Sequence, residues 1–238
     1  MTFTEHLEDL RWCLLKSLAA VVLGAVVCYV FSDWIFALVV APLRRHLAPG
    51  QNLIGTGVTE AFFTEIKVAL AAGLLVASPF VFYQIWRFVA PGLSSGEKRL
   101  VVPFVFCATL FFVGGALFCY WIVLPVAFRY FIEQYSTMGV TPAIRIGEYF
   151  TFFFRMVLAF GVTFELPVFT FFLVRLGIWD YRFMLRSFRY AIVVIVILAA
   201  VLTPTPDVIN QSLLALPMLA LYVLSIGVAY LWRKEPGR

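Results

Sequence analysis

Few side chains in this 238-residue chain could do chemistry: 13 Asp and Glu, 2 His and 4 Cys, beside 18 Lys and Arg. The acids sit in telling places. Glu5, Glu8 and Asp9 cluster near the start, Glu97 follows a long apolar run, Glu165 lies inside another, and Asp207 closes the turn Thr203-Pro204-Thr205-Pro206. Carboxylates gathered on one surface can receive a cationic peptide, because guanidinium groups bind them bidentately. A plainer reading is solvation at helix N-termini, favourable by about 0.3 to 1 kcal/mol each. The residues alone leave both readings open. Glu165 is different, since an acid at mid-membrane costs about 2.5 to 3.5 kcal/mol on insertion scales. It is either a protonated or hydrogen-bonded carboxyl bracing helices, or a polar site for a partner helix or a water-filled dent.

Enzyme signatures are missing: there is no HExxH, no Gly-rich phosphate loop and no paired intramembrane Asp. His6 and His46 lie outside the apolar runs, so a metal cage or His relay within a membrane would lack ligands. Cys13, Cys28, Cys107 and Cys119 have no CxxC spacing and read as apolar filler. The expectation is a chain that is not an enzyme, with no cofactor, no metal and no nucleic-acid partner.

The elements that position these residues follow from composition. With 63% hydrophobic and 13% charged residues and a mean hydropathy of +0.98, a water-soluble globule and a disordered chain are both excluded. Charge-free runs over 17–32, 68–86, 100–128, 156–174, 190–202 and 208–232 separate the charged clusters, Glu165 alone interrupting the fourth. A membrane-spanning helix uses about 20 apolar residues. These runs therefore predict one all-α integral membrane domain over 1–238, with six spans at about 14–40, 68–88, 100–124, 154–176, 187–202 and 208–231. A β-barrel would need alternating segments, whereas 190–202 is apolar on every side.

With the N-terminus inside, 12 Lys and Arg fall on the cytoplasmic side and 6 on the other, so both termini are expected to be cytoplasmic. All six Trp fall near span ends, as an interfacial belt would place them. The acidic start and the lack of a small-residue cleavage site argue against a cleaved signal peptide. Loops 41–64 and 126–154 are expected to lie as short helices on the outer surface. Glu60, Phe62, Lys67, Gly73, Pro79 and Arg87 recur as Glu148, Phe150, Arg155, Gly161, Pro167 and Arg175, 88 residues later. This is either a parallel repeat or shared membrane grammar. The fifth span, 187–202, would be about 24 Å long against a hydrocarbon core of about 30 Å. It predicts local bilayer thinning beside spans five and six.

Ordered motifs run through the chain: His6-Leu-Glu-Asp-Leu-Arg11, Ala41-Pro42-Leu43, Phe62-Phe-Thr-Glu-Ile-Lys67, Tyr83-Gln-Ile-Trp-Arg-Phe-Val-Ala-Pro-Gly-Leu93, Glu97-Lys-Arg99, Phe160-Gly-Val-Thr-Phe-Glu-Leu-Pro167, Leu202-Thr-Pro, Pro206-Asp207 and Gln211. From His6 to about Leu231 the chain resembles the TatC family, the receptor subunit of the twin-arginine protein translocase. The resemblance implies six helices and a multi-pass protein of the cell inner membrane. It would receive signal peptides with two consecutive arginines and export folded proteins using the proton gradient. Asp9 and Glu97 would bind the arginine pair, with Arg11, Phe88 and Pro91 shaping the site. Glu165 would be the family's buried acid. Pro42, Tyr120 and Asp207 would be transport-critical outer positions, and Thr203 and Gln211 a polar contact for the single-span partners TatA and TatB, within a homo-oligomeric complex. Where the family pattern has Glu this chain has Asp9, one methylene shorter, which Glu8 is expected to assist. The alternative is a proton-coupled small-solute transporter, motivated by Glu165 and the repeat.

Overall fold

The computed structural model describes residues 3–48, 50–89, 101–202 and 208–232, and among these every regular element is a helix. In chain order the elements are α1 (Phe3–Val30), α2 (Ser32–Arg44), α3 (Glu60–Val89), α4 (Val101–Phe118), a π-helical turn (Cys119–Val123), α5 (Leu124–Thr137), α6 (Ile146–Arg175), α7 (Tyr181–Leu202) and α8 (Val208–Leu231). Six segments are long and apolar enough to cross a membrane: α1, α3, the continuous α4 to α5 rod, α6, α7 and α8.

The helices outlast the apolar runs that foretold them, because a helix continues into water wherever polar turns can solvate it. α1 begins at Phe3 and α7 at Tyr181. α7 is thus 22 residues, about 33 Å at 1.5 Å per residue, rather than the 24 Å inferred from 187–202. Its first turns carry Arg182, Arg186 and Arg189, all exposed, so its charge-free part stays short. The first span, by contrast, stops early. Phe31 leaves the helical region (φ −105°, ψ 20°) and Ser32-Asp33 opens α2 instead, with the Asp33 carboxylate in the favourable first turn. The apolar stretch 34–40 therefore belongs to α2 and does not lengthen α1.

Pro125, at the start of α5, has no N–H to donate and crowds the preceding turn, and the ladder widens into the π turn just before it. α5 then carries the rod onward, so that part of loop 126–154 is helical, while 45–59 is irregular and does not form the short helix expected there. α5 ends on Gly139 (φ +66°). There the amides of Gly139 and Val140 donate back to the carbonyls of Ser136 and Tyr135, closing the orphan carbonyls of the last turn.

The chain divides into two compact units, Met1–Leu110 with Ala143–Phe150, and Phe111–Pro142 with Thr151–Arg238. In the first, α1 and α3 cross with their backbones in contact. A Cβ on Gly24 would lie 2.9 Å from the Gly73 carbonyl oxygen, and one on Gly73 would collide with the Ala25 backbone. In the second, α4 and α6 approach through Gly115 and Gly161. A Cβ on Gly161 would lie 2.8 Å from the Phe112 ring. α7 and α8 form a hairpin in which the Tyr222 hydroxyl donates to the Met184 carbonyl (3.1 Å).

Trp86, near the end of α3, is buried and packs edge-on against Phe104. Trp12, Trp34, Trp121 and Trp232 are exposed. The four cysteines are free, three buried and Cys107 exposed.

Candidate functional site

The end of the first unit where α1 begins and α3 finishes brings one of the N-terminal acids, Asp9, to a cavity. Asp9, Trp12, Cys13 and Lys16 recur at helical spacing on one face of α1, and Gln84, Arg87 and Phe88 on one face of α3. Together they line a pocket of about 530 Å³. Gln84 is a buried polar residue. His6, one turn before the pocket face, stacks on Phe88 with ring centroids 4.4 Å apart and ties the start of α1 to the end of α3. Of the residues expected to receive a peptide, Asp9 and Phe88 therefore meet. Glu8 and Arg11 are exposed on α1 and do not line the pocket. Glu8 lies about 100° round the helix from Asp9, whereas Glu5, four residues back, shares its face. Pro91 and Glu97 lie outside the described residues.

Glu165 lies within α6, partly buried. The Phe112 backbone amide reaches its carboxylate, while Oε1 is buried without a hydrogen-bond partner. A lone buried carboxyl oxygen is costly unless water or another molecule satisfies it. Tyr120 sits in the π turn with its ring edge-on to Phe153. Pro42 is buried inside α2, and its carbonyl accepts a bond from His46 Nδ1–H at 2.9 Å. Gln211 lies in the first turn of α8 and donates its amide N–H to the Val196 carbonyl of α7 (2.9 Å), so one of its polar groups is used within the hairpin. Thr203 and Asp207 lie outside the described residues.

At the far end of α3, Glu60 forms a clasp. One carboxylate oxygen accepts from the Thr56 amide (2.6 Å), the Thr56 hydroxyl (3.1 Å) and the Gly57 amide (3.1 Å). The other accepts from the Gly147 amide in the first turn of α6 (2.8 Å). Beside it Ile54 exchanges backbone bonds with Ile144 and Ile146, and the Tyr149 hydroxyl donates to the Val39 carbonyl (2.6 Å). Glu60 precedes the charge-free run and lies outside the membrane-spanning part of α3. The Thr56 amide first, then Gly147, hold its carboxyl down at about 2, against 4.5 ordinarily.

Among the described residues, no group of three His, Cys, Asp or Glu side chains could hold a metal ion.

The family model described as TatC, Sec-independent protein translocase protein, matches residues 5–217. The chain belongs to the TatC family. It is 42% identical over 237 residues to the Sec-independent protein translocase protein TatC of Koribacter versatilis, covering 97% of this chain and 86% of that relative. The TatC protein of Campylobacter jejuni is 44% identical over 224 residues, covering 93% and 90%. Superposition on a crystal structure of the twin arginine translocase receptor TatC gives a TM-score of 0.86 at 35% identity, covering 95% of this chain and 99% of that one. TatC membership and six apolar helices together make the chain a multi-pass membrane protein of Sec-independent protein transport. A solute transporter has no support in these comparisons.

Sequence reasoning missed Trp12, Lys16, Gln84 and Arg87 as pocket residues, although their spacing from Asp9 and Phe88 carries the signal. It also placed Glu60 only in the repeat. Its partners are the Thr56 hydroxyl and three backbone amides, one of them 87 residues away, and no side-chain pattern encodes that last contact.

Proposed function

We propose that this chain is the twin-arginine signal-peptide receptor and core subunit of a Sec-independent translocase in the cell inner membrane, with both termini cytoplasmic. The observation that carries this reading is the meeting of Asp9 and Phe88 at one pocket in a TatC-family chain. The excess of Lys and Arg on that side supports the orientation. In this reading Asp9 and Glu97 each take one guanidinium of the arginine pair through charge-assisted bonds. Phe88, held by His6, Pro91 and Arg11 shape the approach. Because Asp9 is short, Glu5 on the same helix face is better placed than Glu8 to reinforce its field.

Transport would follow docking through the assembled complex, with TatA and TatB helices as partners, several copies of this chain, and the proton gradient as energy source. α7 suits partner contact, since Met184, Ile195 and Ala199 are its buried residues while Val193, Ile197 and Val201 are exposed. Thr203 and the side-chain carbonyl of Gln211 would add a polar contact there. Pro42, Tyr120 and Asp207 would act on the outer side, and Glu165 would offer its unpartnered oxygen to water or a passing helix. The test is crosslinking of a twin-arginine peptide to probes beside Asp9 and Glu97. Strong crosslinks that vanish when the two arginines become lysines support the docking site, and crosslinks indifferent to that change sink it.

A further inference from the structure

Among the described residues, the lining of the pocket beside Asp9 holds more positive than negative charge. Lys16 and Arg87 stand there against one carboxylate, Asp9, and two cations brought to one pocket call for an anion between them. Neither cation is ion-paired among the described residues, where the ion pairs are Arg129 with Glu133 and Arg145 with Glu148. The Lys16 ammonium lies 5.8 Å from the Trp12 ring centroid on its own helix, and that contact supplies no oxygen for its donors.

Depth says where the anion comes from. Lys16 immediately precedes the charge-free run 17–32, and Arg87 immediately follows 68–86. Both therefore mark the edge of the hydrocarbon, the level of lipid phosphates, with Trp12 beside them as an interfacial ring. Asp9 stands seven residues, about 10 Å, further out along α1. Toward the hydrocarbon the pocket faces continue into exposed apolar side chains, Leu23 on α1 and Phe80 on α3, at i+7 from Lys16 and i−4 from Gln84. The volume lies within the roughly 300 to 1,000 Å³ of small-ligand sites.

We propose that this pocket is a phospholipid headgroup site, in which Lys16 and Arg87 hold the phosphate of phosphatidylglycerol from the adjoining leaflet while its acyl chains run along Leu23 and Phe80. The bound phosphate neutralises the two cations below Asp9. On the docking reading above, it therefore lowers the repulsion met by an incoming arginine pair, linking peptide affinity to an anionic lipid.

The test is native mass spectrometry of the full-length protein in detergent, titrated with phosphatidylglycerol. It compares wild type, K16Q/R87Q and the charge-matched R182Q/R186Q, whose exposed arginines lie on α7. Two charge-assisted phosphate contacts predict a fall of roughly tenfold or more in lipid affinity for K16Q/R87Q, with R182Q/R186Q close to wild type. Equal retention by wild type and K16Q/R87Q would overturn the proposal, as would an equal loss in both double variants, which would mean bulk electrostatics. Displacement of the lipid by equimolar inorganic phosphate would overturn the lipid as the source. D9N, assayed for lipid and for twin-arginine peptide in parallel, separates the two readings. Lipid retained with peptide lost supports both, whereas lipid lost with peptide retained overturns the headgroup site and the docking role of Asp9 together.

Discussion

Helices α3 and α6 are built to one grammar but part ways at a position near the middle of each. Each has 30 residues, an acid in the first turn, an internal proline and an arginine in the last turn. Each also has a glycine at a close helix crossing, Gly73 against α1 and Gly161 against the Phe112 ring. In the register offset by 88 residues, the site of Glu165 in α6 is held in α3 by Ala77, which is buried. What is shared serves insertion and packing: small residues let backbones approach, and terminal charges match the helix ends. What differs is an acid that packing does not need. The first-turn acids have diverged too, Glu60 into a clasp on backbone amides and Glu148 into a surface pair with Arg145 at 3.5 Å.

The comparison can be broken most forcefully at its glycines. G73A pushes a methyl into the α1 backbone, which cannot yield as a side chain can. It should cost about 3 kcal/mol or more, at the upper end of overpacking effects. G161A meets a phenyl ring that can turn, and about 1 kcal/mol is expected. Thermal unfolding of both variants in one detergent measures the difference, and equal losses would erase the distinction between the crossings.

Exchanging the differing residue is the next test. A77E should destabilise by about 2.5 to 3.5 kcal/mol, the insertion cost of a mid-membrane acid. E165M should stabilise by about 1 to 3 kcal/mol, since an unsatisfied buried carboxyl gives way to apolar packing. Transport assayed in membranes should fall in E165M despite that gain. A variant both more stable and fully active would reduce Glu165 to a structural residue.

The smallest effect concerns the clasp. Because the folded state holds the Glu60 carboxyl at about 2 against 4.5 ordinarily, its contribution is complete above pH 4.5 and is lost as pH falls through about 2. Hydrogen exchange at the Gly147 amide should be faster in E60Q than in wild type at pH 7, with the difference shrinking on acidification. An unchanged rate at pH 7 would remove the clasp.

The six spans were legible because charge clusters bound apolar runs, and a membrane imposes that pattern directly on sequence. The break at Phe31 was not, since 34–40 is as apolar as a span and only Ser32-Asp33 marks the turn. Helix starts at Phe3 and Tyr181 were hidden because charged turns read as loop when only hydropathy is counted. In the site, Asp9 and Phe88 were legible from motif resemblance, while Lys16 and Arg87 looked like topology signals. Their meeting in one pocket depends on how α1 and α3 cross, which Gly24 and Gly73 set and no local pattern states. Gln211 was expected to face a partner, and its bond to Val196 depends on hairpin register in the same way.

The central claim is that Asp9 and Glu97 together receive a paired cation. Equilibrium binding of a fluorescent twin-arginine signal peptide to the purified full-length protein, wild type against D9N/E97Q, tests it most directly. Loss of two charge-assisted contacts predicts affinity lower by roughly a hundredfold, with the wild-type fold retained by circular dichroism. Unchanged affinity in the neutralised variant would contradict the account.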